Sequence, residues 1–288
     1  MNAHNNASKN SGKTGKLYIV ATPIGNLDDI TRRAIDTLQS VDIIACEDTR
    51  TSAKLLTHYN ITKPTWAYHE HNADVQTAKF IELLQTGKSI ALISDAGTPL
   101  VSDPGYRLVK ACHDHHVSVS PIAGASAAIA GLSVAGLPSD RFYFVGFLPA
   151  KTVARQNELT AIKDERATLI VYEAPHRIVE CLSDILTVFG ERDITLCREL
   201  TKTFETIKKT NTAALLDFVK NNPNQQKGEI VLVIAGNTAA TAKTEEYDTW
   251  LNLLAKELPP KKAAAIVAEI SGIKKSVLYD RLMVLSGK

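Results

Sequence analysis

From Leu17 onward, short apolar runs alternate with stretches whose apolar residues fall at helical spacing, and this alternation restricts the fold more than any other feature. LYIVA (17–21), VDIIAC (41–46), SIALIS (89–94) and VSVSPI (117–122) read as strands. Residues 30–39, 51–58, 73–86 and 104–115 between them read as helices, as Phe80, Leu83 and Leu84 illustrate. Strands separated by helices need crossover connections, and crossovers make a mostly parallel sheet. The pattern returns after Gly131 with FYFVGF (142–147), TLIVYE (168–173), DITLCRE (193–199) and EIVLVIAG (229–236). Helical stretches at 152–164, 175–188 and 211–221 separate these runs. TFETIKKT (203–210) fits an added antiparallel strand, so the second sheet is expected to be mixed. The fold class is therefore α/β with two α/β domains.

Near residue 240 the chain turns to NTAATAKTEE, a polar run of small residues that reads as a linker. A helix over 245–256 follows and stops at Pro259-Pro260. KKAAAIVAEI and KSVLYDRLMVL, joined by Ser271-Gly272, then predict a helix-turn-helix; a helical hairpin that merely caps the second domain is the alternative. The expected division is a disordered tail at 1–15, α/β domains at 16–128 and 129–240, and a helical extension at 244–288. The first sixteen residues lack a secretory h-region, and no apolar run approaches the ~18 residues of a membrane span. Cys46, Cys112, Cys181 and Cys197 are scattered through apolar stretches, as in a reduced, cytoplasmic protein. The net charge of +2 is unevenly placed. Residues 259–288 hold six basic and two acidic residues, while 17–258 hold 24 basic and 29 acidic. The body is acidic and the ends are basic, which allows a polyanionic partner at the ends.

Three of the first four strands end in turns of small residues. LYIVA runs into Thr22-Pro23-Ile24-Gly25, SIALIS into Asp95-Ala96-Gly97-Thr98-Pro99, and VSVSPI into Ala123-Gly124-Ala125-Ser126-Ala127. Ligands of open parallel sheets bind beyond the carboxyl ends of the strands, and small residues there let the backbone approach a ligand. No G-x-G-x-x-G follows the first strand, so a dinucleotide site is not expected. Ser11-Gly12-Lys13-Thr14 lacks the first glycine of a phosphate loop and precedes the strand. The histidines lack partners at metal-ligand spacing, and no metal is expected. A second polar set also sits at strand ends: Glu47-Asp48-Thr49-Arg50, Gly146 to Lys151, Glu173 with His176-Arg177, and Arg198-Glu199 with Lys202. Acidic and basic groups of both domains are thus expected to face one cleft.

LYIVATPIGNLDDI, ACEDTR, ALISDAGTPLVSDPG, PIAGASAAIAGL, FVGFLPAK, YEAPHR and CRELTK together resemble the tetrapyrrole methylase superfamily, and within it the bacterial ribosomal RNA methyltransferases acting on the 2′-hydroxyl of cytidine. The resemblance covers about residues 16–240, and the terminal helices resemble that subfamily's extension. It implies S-adenosylmethionine bound between two α/β domains, usually in a homodimer, with 16S ribosomal RNA of the small subunit, near the decoding centre, as substrate. By position it assigns Pro23 to closing the cleft, and Ser94, Asp95, Ala96, Gly97 and Val101 to methionine and ribose contacts. Ser126 and Ala127 match the small pair after Gly124, while Glu173 and Leu200 match positions near the adenine. Glu47, Asp48 and Lys151 remain open as catalytic candidates. Arg50, Arg155, His176, Arg177 and Lys202, with Lys261, Lys262, Lys274 and Lys275, are expected phosphate contacts. A tetrapyrrole-type methylase, the diphthamide-forming enzyme and a non-catalytic assembly factor share the scaffold as alternatives.

Overall fold

The computed structural model describes residues 15–237 and 247–286. The tail up to residue 14 and most of the expected linker lie outside the described residues. One compact unit runs up to Ile162 and resumes over Ala167–Ala235; residues 163–166 join Gly236 and beyond in a second unit.

The first sheet contains β1 (Lys16–Val20), β2 (Ile43–Cys46), β3 (Thr65–Ala67), β4 (Ile90–Ile93) and β5 (Ser118–Ile122), in the order β3-β2-β4-β1-β5. Every pairing is parallel. Helices α1 (Arg32–Ser40), α2 (Thr49–His58), α3 (Ala73–Gln85) and α4 (Tyr106–Asp114) make the crossovers. β2 and β4 are buried along their whole length because helices cover both faces, which explains their uninterrupted apolar runs. Thr31 and Asp48 accept hydrogen bonds from the first turns of α1 and α2, which sets where those helices start.

The second sheet contains β6 (Phe142–Phe147), β7 (Thr168–Glu173), β8 (Asp193–Arg198), β9 (Thr206–Asn211) and β10 (Ile230–Ile234), in the order β6-β7-β10-β8-β9. It is mixed: β6 and β7 are parallel, while β10 and β9 are antiparallel to their neighbours. Helices α6 (Thr152–Ala161), α7 (Ile178–Phe189) and α8 (Thr212–Asn221) cover one face. Helix α5 (Ala127–Val134) covers the other, where Gly131 lets it approach Val231 closely: a Cβ there would come within 3.1 Å of its Cγ1. Ala128 and Leu132 of α5 share one core with Ile24, Ile170, Leu200 and Val231, so the expected boundary at 128/129 falls inside an element that ties the two sheets together.

Neither β3 nor α5 was expected from sequence. β3 is three residues at a sheet edge, too short for an alternating pattern. α5 is apolar all round, so it has no helical period to read. In the second unit, α9 (Asp248–Glu257), α10 (Pro260–Ser271) and α11 (Lys275–Leu285) pack around Leu251, Val267, Leu278 and Leu282. Gly272 closes α10 in the left-handed region at φ +70°, giving the expected helix-turn-helix connection. Arg281 clamps α11 to the start of α9 through two bonds to Asp248, of 2.9 and 2.6 Å. All four cysteines are buried and free. No helix among the described residues is long and apolar enough to cross a membrane.

Candidate active site

The turns after β1, β4 and β5 are adjacent because those strands are neighbours in the first sheet. They are laced together by backbone. Thr22 N–H donates to Gly97 O at 2.8 Å, Gly97 N–H returns to Thr22 O at 3.1 Å, and the Thr98 hydroxyl donates to Ala125 O at 2.9 Å. Gly97 sits at φ +80°, where an added Cβ would lie 3.3 Å from Ile24 Cγ2. A side chain there would strain the backbone and crowd Ile24.

A cavity of about 450 Å³ opens beyond these turns, facing the second sheet across the cleft. The first domain lines it with Ile24, Glu47, residues 95–98, residues 101–103, Ser126 and Ala127. Phe147, residues 172–175, Cys197, Leu200 and residues 229–231 form the other wall. The cavity therefore gathers Asp95, Ala96, Gly97, Val101, Ser126, Ala127, Glu173 and Leu200 of the expected cofactor residues, with Glu47 of the expected catalytic ones. The other three lie behind it. Pro23 is buried under the Thr22–Gly97 bridge. Ser94 turns its hydroxyl to Ala96 and Gly97 carbonyls. Gly124 is small for packing, because a Cβ there would come within 2.9 Å of the Ala21 Cβ.

Three carboxylates of the first domain, Glu47, Asp95 and Asp103, share one side of this cavity. Burial pushes the Asp103 carboxyl up to about 6, and the neighbouring charges of Glu47 and Asp95 push the same way. Glu47 is also raised, first by burial and then by Asp95. Asp95 is raised by burial, although its Oδ1 accepts the Asp48 N–H at 3.2 Å. A cationic ligand would relieve this crowding, and S-adenosylmethionine carries a sulfonium and an ammonium. The cavity volume, the small residues Ala96, Gly97, Ser126 and Ala127 and the acidic lining all fit that cofactor. Asp103 was missed at the level of sequence. It lies eight residues beyond Asp95 on a loop bent by positive φ at Leu100 (73°), Ser102 (67°) and Gly105 (140°). Non-glycine residues held there store strain, which favours a functional loop.

The other catalytic candidates separate. Asp48 turns away to cap α2 and to bind Arg50 at 2.8 Å, and the Arg50 hydrogen bonds lower its carboxyl to about 2. Lys151 is exposed at the N-cap of α6, outside the cavity lining.

The expected phosphate contacts need correction at three positions. Arg155 is 0% exposed: Leu159 marks the buried face of α6, and Arg155 lies one turn earlier on it. Its Nε donates to Asp184 Oδ2 at 2.6 Å, and its guanidinium also reaches Ala150 O at 3.1 Å. Arg177 is drawn inward to Leu148 O at 2.6 Å and to the buried Glu173 carboxylate at 3.2 Å. Lys202 is held between Glu199 and Glu229, at 2.9 and 3.0 Å. Its stem lies over Gly25, where a Cβ would come within 2.4 Å of the Lys202 Cε. It latches the second domain onto the turn after β1. Arg50, His176, Lys261, Lys262, Lys274 and Lys275 are solvent-exposed.

A family model described as Tetrapyrrole (Corrin/Porphyrin) Methylases matches residues 16–216, and one described as RsmI C-terminal HTH domain matches residues 241–286. A protein named ribosomal RNA small subunit methyltransferase I from Pseudomonas aeruginosa is 51% identical over 95% of this chain and 99% of its own length. Proteins of the same name from Vibrio cholerae and Haemophilus influenzae are 53% and 52% identical, over 91% and 93% of this chain and 92% and 96% of theirs. Among solved structures, a diphthine synthase and the methyltransferase CobJ superpose with TM-scores of 0.58 at 14% and 15% identity. They cover 77% and 78% of this chain and 90% and 95% of their own, a likeness of fold alone. The chain belongs to the tetrapyrrole methylase family and, within it, to the group of ribosomal RNA small subunit methyltransferase I.

Proposed function

We propose that this methyltransferase acts on the ribose 2′-hydroxyl of a cytidine in 16S ribosomal RNA, in the decoding-centre region of the small subunit, and works as a homodimer. The observation that carries the reading is the cavity itself. Small-residue turns around Gly97 and the first-domain carboxylates Glu47, Asp95 and Asp103 line a cofactor-sized space with an exposed aromatic ring, Phe147, on its wall. S-adenosylmethionine is the methyl donor, and it supplies an already activated methyl group. The chain's own task is therefore alignment, desolvation and proton removal. The small turns after β1, β4 and β5 would hold the donor, with their main-chain groups within its reach. Tyr172, Leu200 and Val231 keep water from its apolar side. Asp103, with Glu47 beside it on the cavity wall, is the carboxylate placed to take the 2′-hydroxyl proton. Asp48, near 2 and tied to Arg50, is a poor base. Lys151, at the N-terminus of α6, supports the phosphate flanking the acceptor.

The test is transfer of a tritiated methyl group to assembled small subunits, naked 16S RNA and a tetrapyrrole in parallel, followed by nucleoside analysis of the product. Label recovered as 2′-O-methylcytidine from the subunit supports the reading. Label in the tetrapyrrole, on a base, or in no acceptor overturns it.

A further inference from the structure

Strand β6 carries a feature that the cofactor cavity does not require. Phe144 pairs with Ile170, but Gly146, not Val145, pairs with Val171, and Phe147 pairs with Tyr172. One residue is therefore extra. In an unbroken strand, Phe147 stands three residues after Phe144 and faces the opposite side, with Val145, into the core around Leu169 and Val171. The bulge moves it to the face of Phe144, Ile170 and Tyr172, beside the cavity. Gly146 permits the bulge at φ +75°. The result is an apolar ring taken out of a core and set on the wall of the cavity, where it remains 56% exposed.

The mount is rigid. Tyr172 meets the Phe147 ring edge-on at 5.6 Å, and Phe144 backs Tyr172 at 5.0 Å. Immediately after Phe147, the carbonyls of Leu148 and Ala150 are gripped from beneath by Arg177 at 2.6 Å and Arg155 at 3.1 Å. Those arginines are neutralised in turn by Glu173 and Asp184. Two ion pairs, Arg155–Asp184 fully buried and Arg177–Glu173 half-buried, thus brace the short segment that presents one exposed ring. Orientation matters there.

We infer that Phe147 is the platform on which the base of the acceptor nucleoside, or of its immediate neighbour, stacks when the ribose enters the cavity mouth; this rests on the RNA-methylation reading above. Paired RNA displays its 2′-hydroxyls in a shallow minor groove, but a donor recessed in a cavity is approached more closely by a nucleotide splayed out of its stack. A protein ring then replaces the missing stacking neighbour, as in other single-stranded RNA sites. Arg155 and Arg177 act on that ring indirectly, by holding the Ala150 and Leu148 carbonyls that follow it.

The experiment compares F147L, F147A and F147W. Cofactor affinity is read by calorimetry, and the small-subunit concentration for half-maximal methyl transfer by single turnover. Stacking predicts that the Leu and Ala variants raise that concentration roughly 5- to 150-fold, well beyond any change in cofactor affinity, while Trp, which also offers a π-face, restores it. A pyrrolocytidine-labelled single-stranded RNA supplies a readout without chemistry: its emission should quench on wild type and F147W but not on F147L. If Leu serves as well as Phe, or Trp fails while the cofactor still binds, the inference is overturned. Loss of a dimer in F147L, seen by light scattering, likewise overturns it in favour of a subunit contact. Wild-type quenching without methyl transfer to the subunit leaves the stacking site standing and overturns only the proposed substrate.

Discussion

Asp103 ties the chemistry of the cavity to measurable pH dependence. Its folded value of about 6 lies above the ordinary 3.8, so the folded state holds the proton more tightly than the unfolded chain does. Its contribution to stability is therefore full below about 4 and is lost as pH rises through about 6. Asp103→Asn should raise the melting temperature at pH 7 while leaving it near wild type at pH 3.5. Cofactor binding should show the reverse preference. A cation stabilises the ionised carboxylate, so affinity should climb with pH up to about 6 and then level, with proton release in that range. Calorimetry in two buffers of different ionisation enthalpy checks this, and equal proton release in Asp103→Asn would remove Asp103 from the cation's surroundings. A second residue-scale prediction concerns space. Gly97→Val needs a φ that valine avoids, and Ala127→Phe fills the cavity wall. Both should abolish cofactor binding while circular dichroism stays native. Near wild-type affinity in either variant would displace the cofactor site.

Among elements, α6 and α7 depend on a charge pair whose arginine the sequence alone assigns to solvent. Arg155 and Asp184 are both buried, and Gln156 satisfies the second carboxylate oxygen at 2.7 Å. Arg155→Met should cost about 3–5 kcal/mol, because Asp184 is left as an uncompensated buried charge. Replacing both, as Arg155→Met with Asp184→Leu, should recover most of that stability in chemical denaturation. If the single variant unfolds at the wild-type denaturant concentration, the pair contributes nothing. The error about Arg155 shows what was legible. The strands other than the three-residue β3, the crossover helices and the mixed second sheet follow from apolar periodicity, which reports burial directly. The turns after β1, β4 and β5 are legible because small residues at strand ends have few other causes. A buried arginine looks like a surface one until its partner 29 residues away is known. The β6 bulge leaves no pattern in FYFVGF, since every residue there is apolar or glycine, and α5 hides for the same reason. Asp103 escaped because its place depends on the positive-φ loop before α4, not on distance from a strand.

For the whole molecule, charge is divided between an acidic body and a basic end. Lys261 and Lys262 lie in the first turn of α10, and Lys274 and Lys275 open α11. Cations at helix N-termini oppose the helix dipole, an arrangement that costs about 0.3–1 kcal/mol each on exposed surfaces. Four such placements in one small unit point to a use for positive charge there, and phosphate is the natural partner of a helix start that also offers free N–H groups. None of the four helps build the core of α9, α10 and α11, which Leu251, Val267, Leu278 and Leu282 form. Changing all four to Gln should therefore leave that unit folded and cofactor affinity intact, while subunit binding weakens. The slope of log affinity against log salt should flatten by roughly 0.7 for each phosphate that is no longer neutralised, so by up to about 3 for four. Truncation is a weaker design, since cutting at Pro259 removes α10 and α11 but strands Leu251 of α9 without its core. Filter binding across a salt series decides the matter. Weaker binding with an unchanged slope would mean that the lysines do not neutralise phosphate, and the RNA footprint would then rest on the α/β unit alone, through Arg50, His176 and the rim around Phe147.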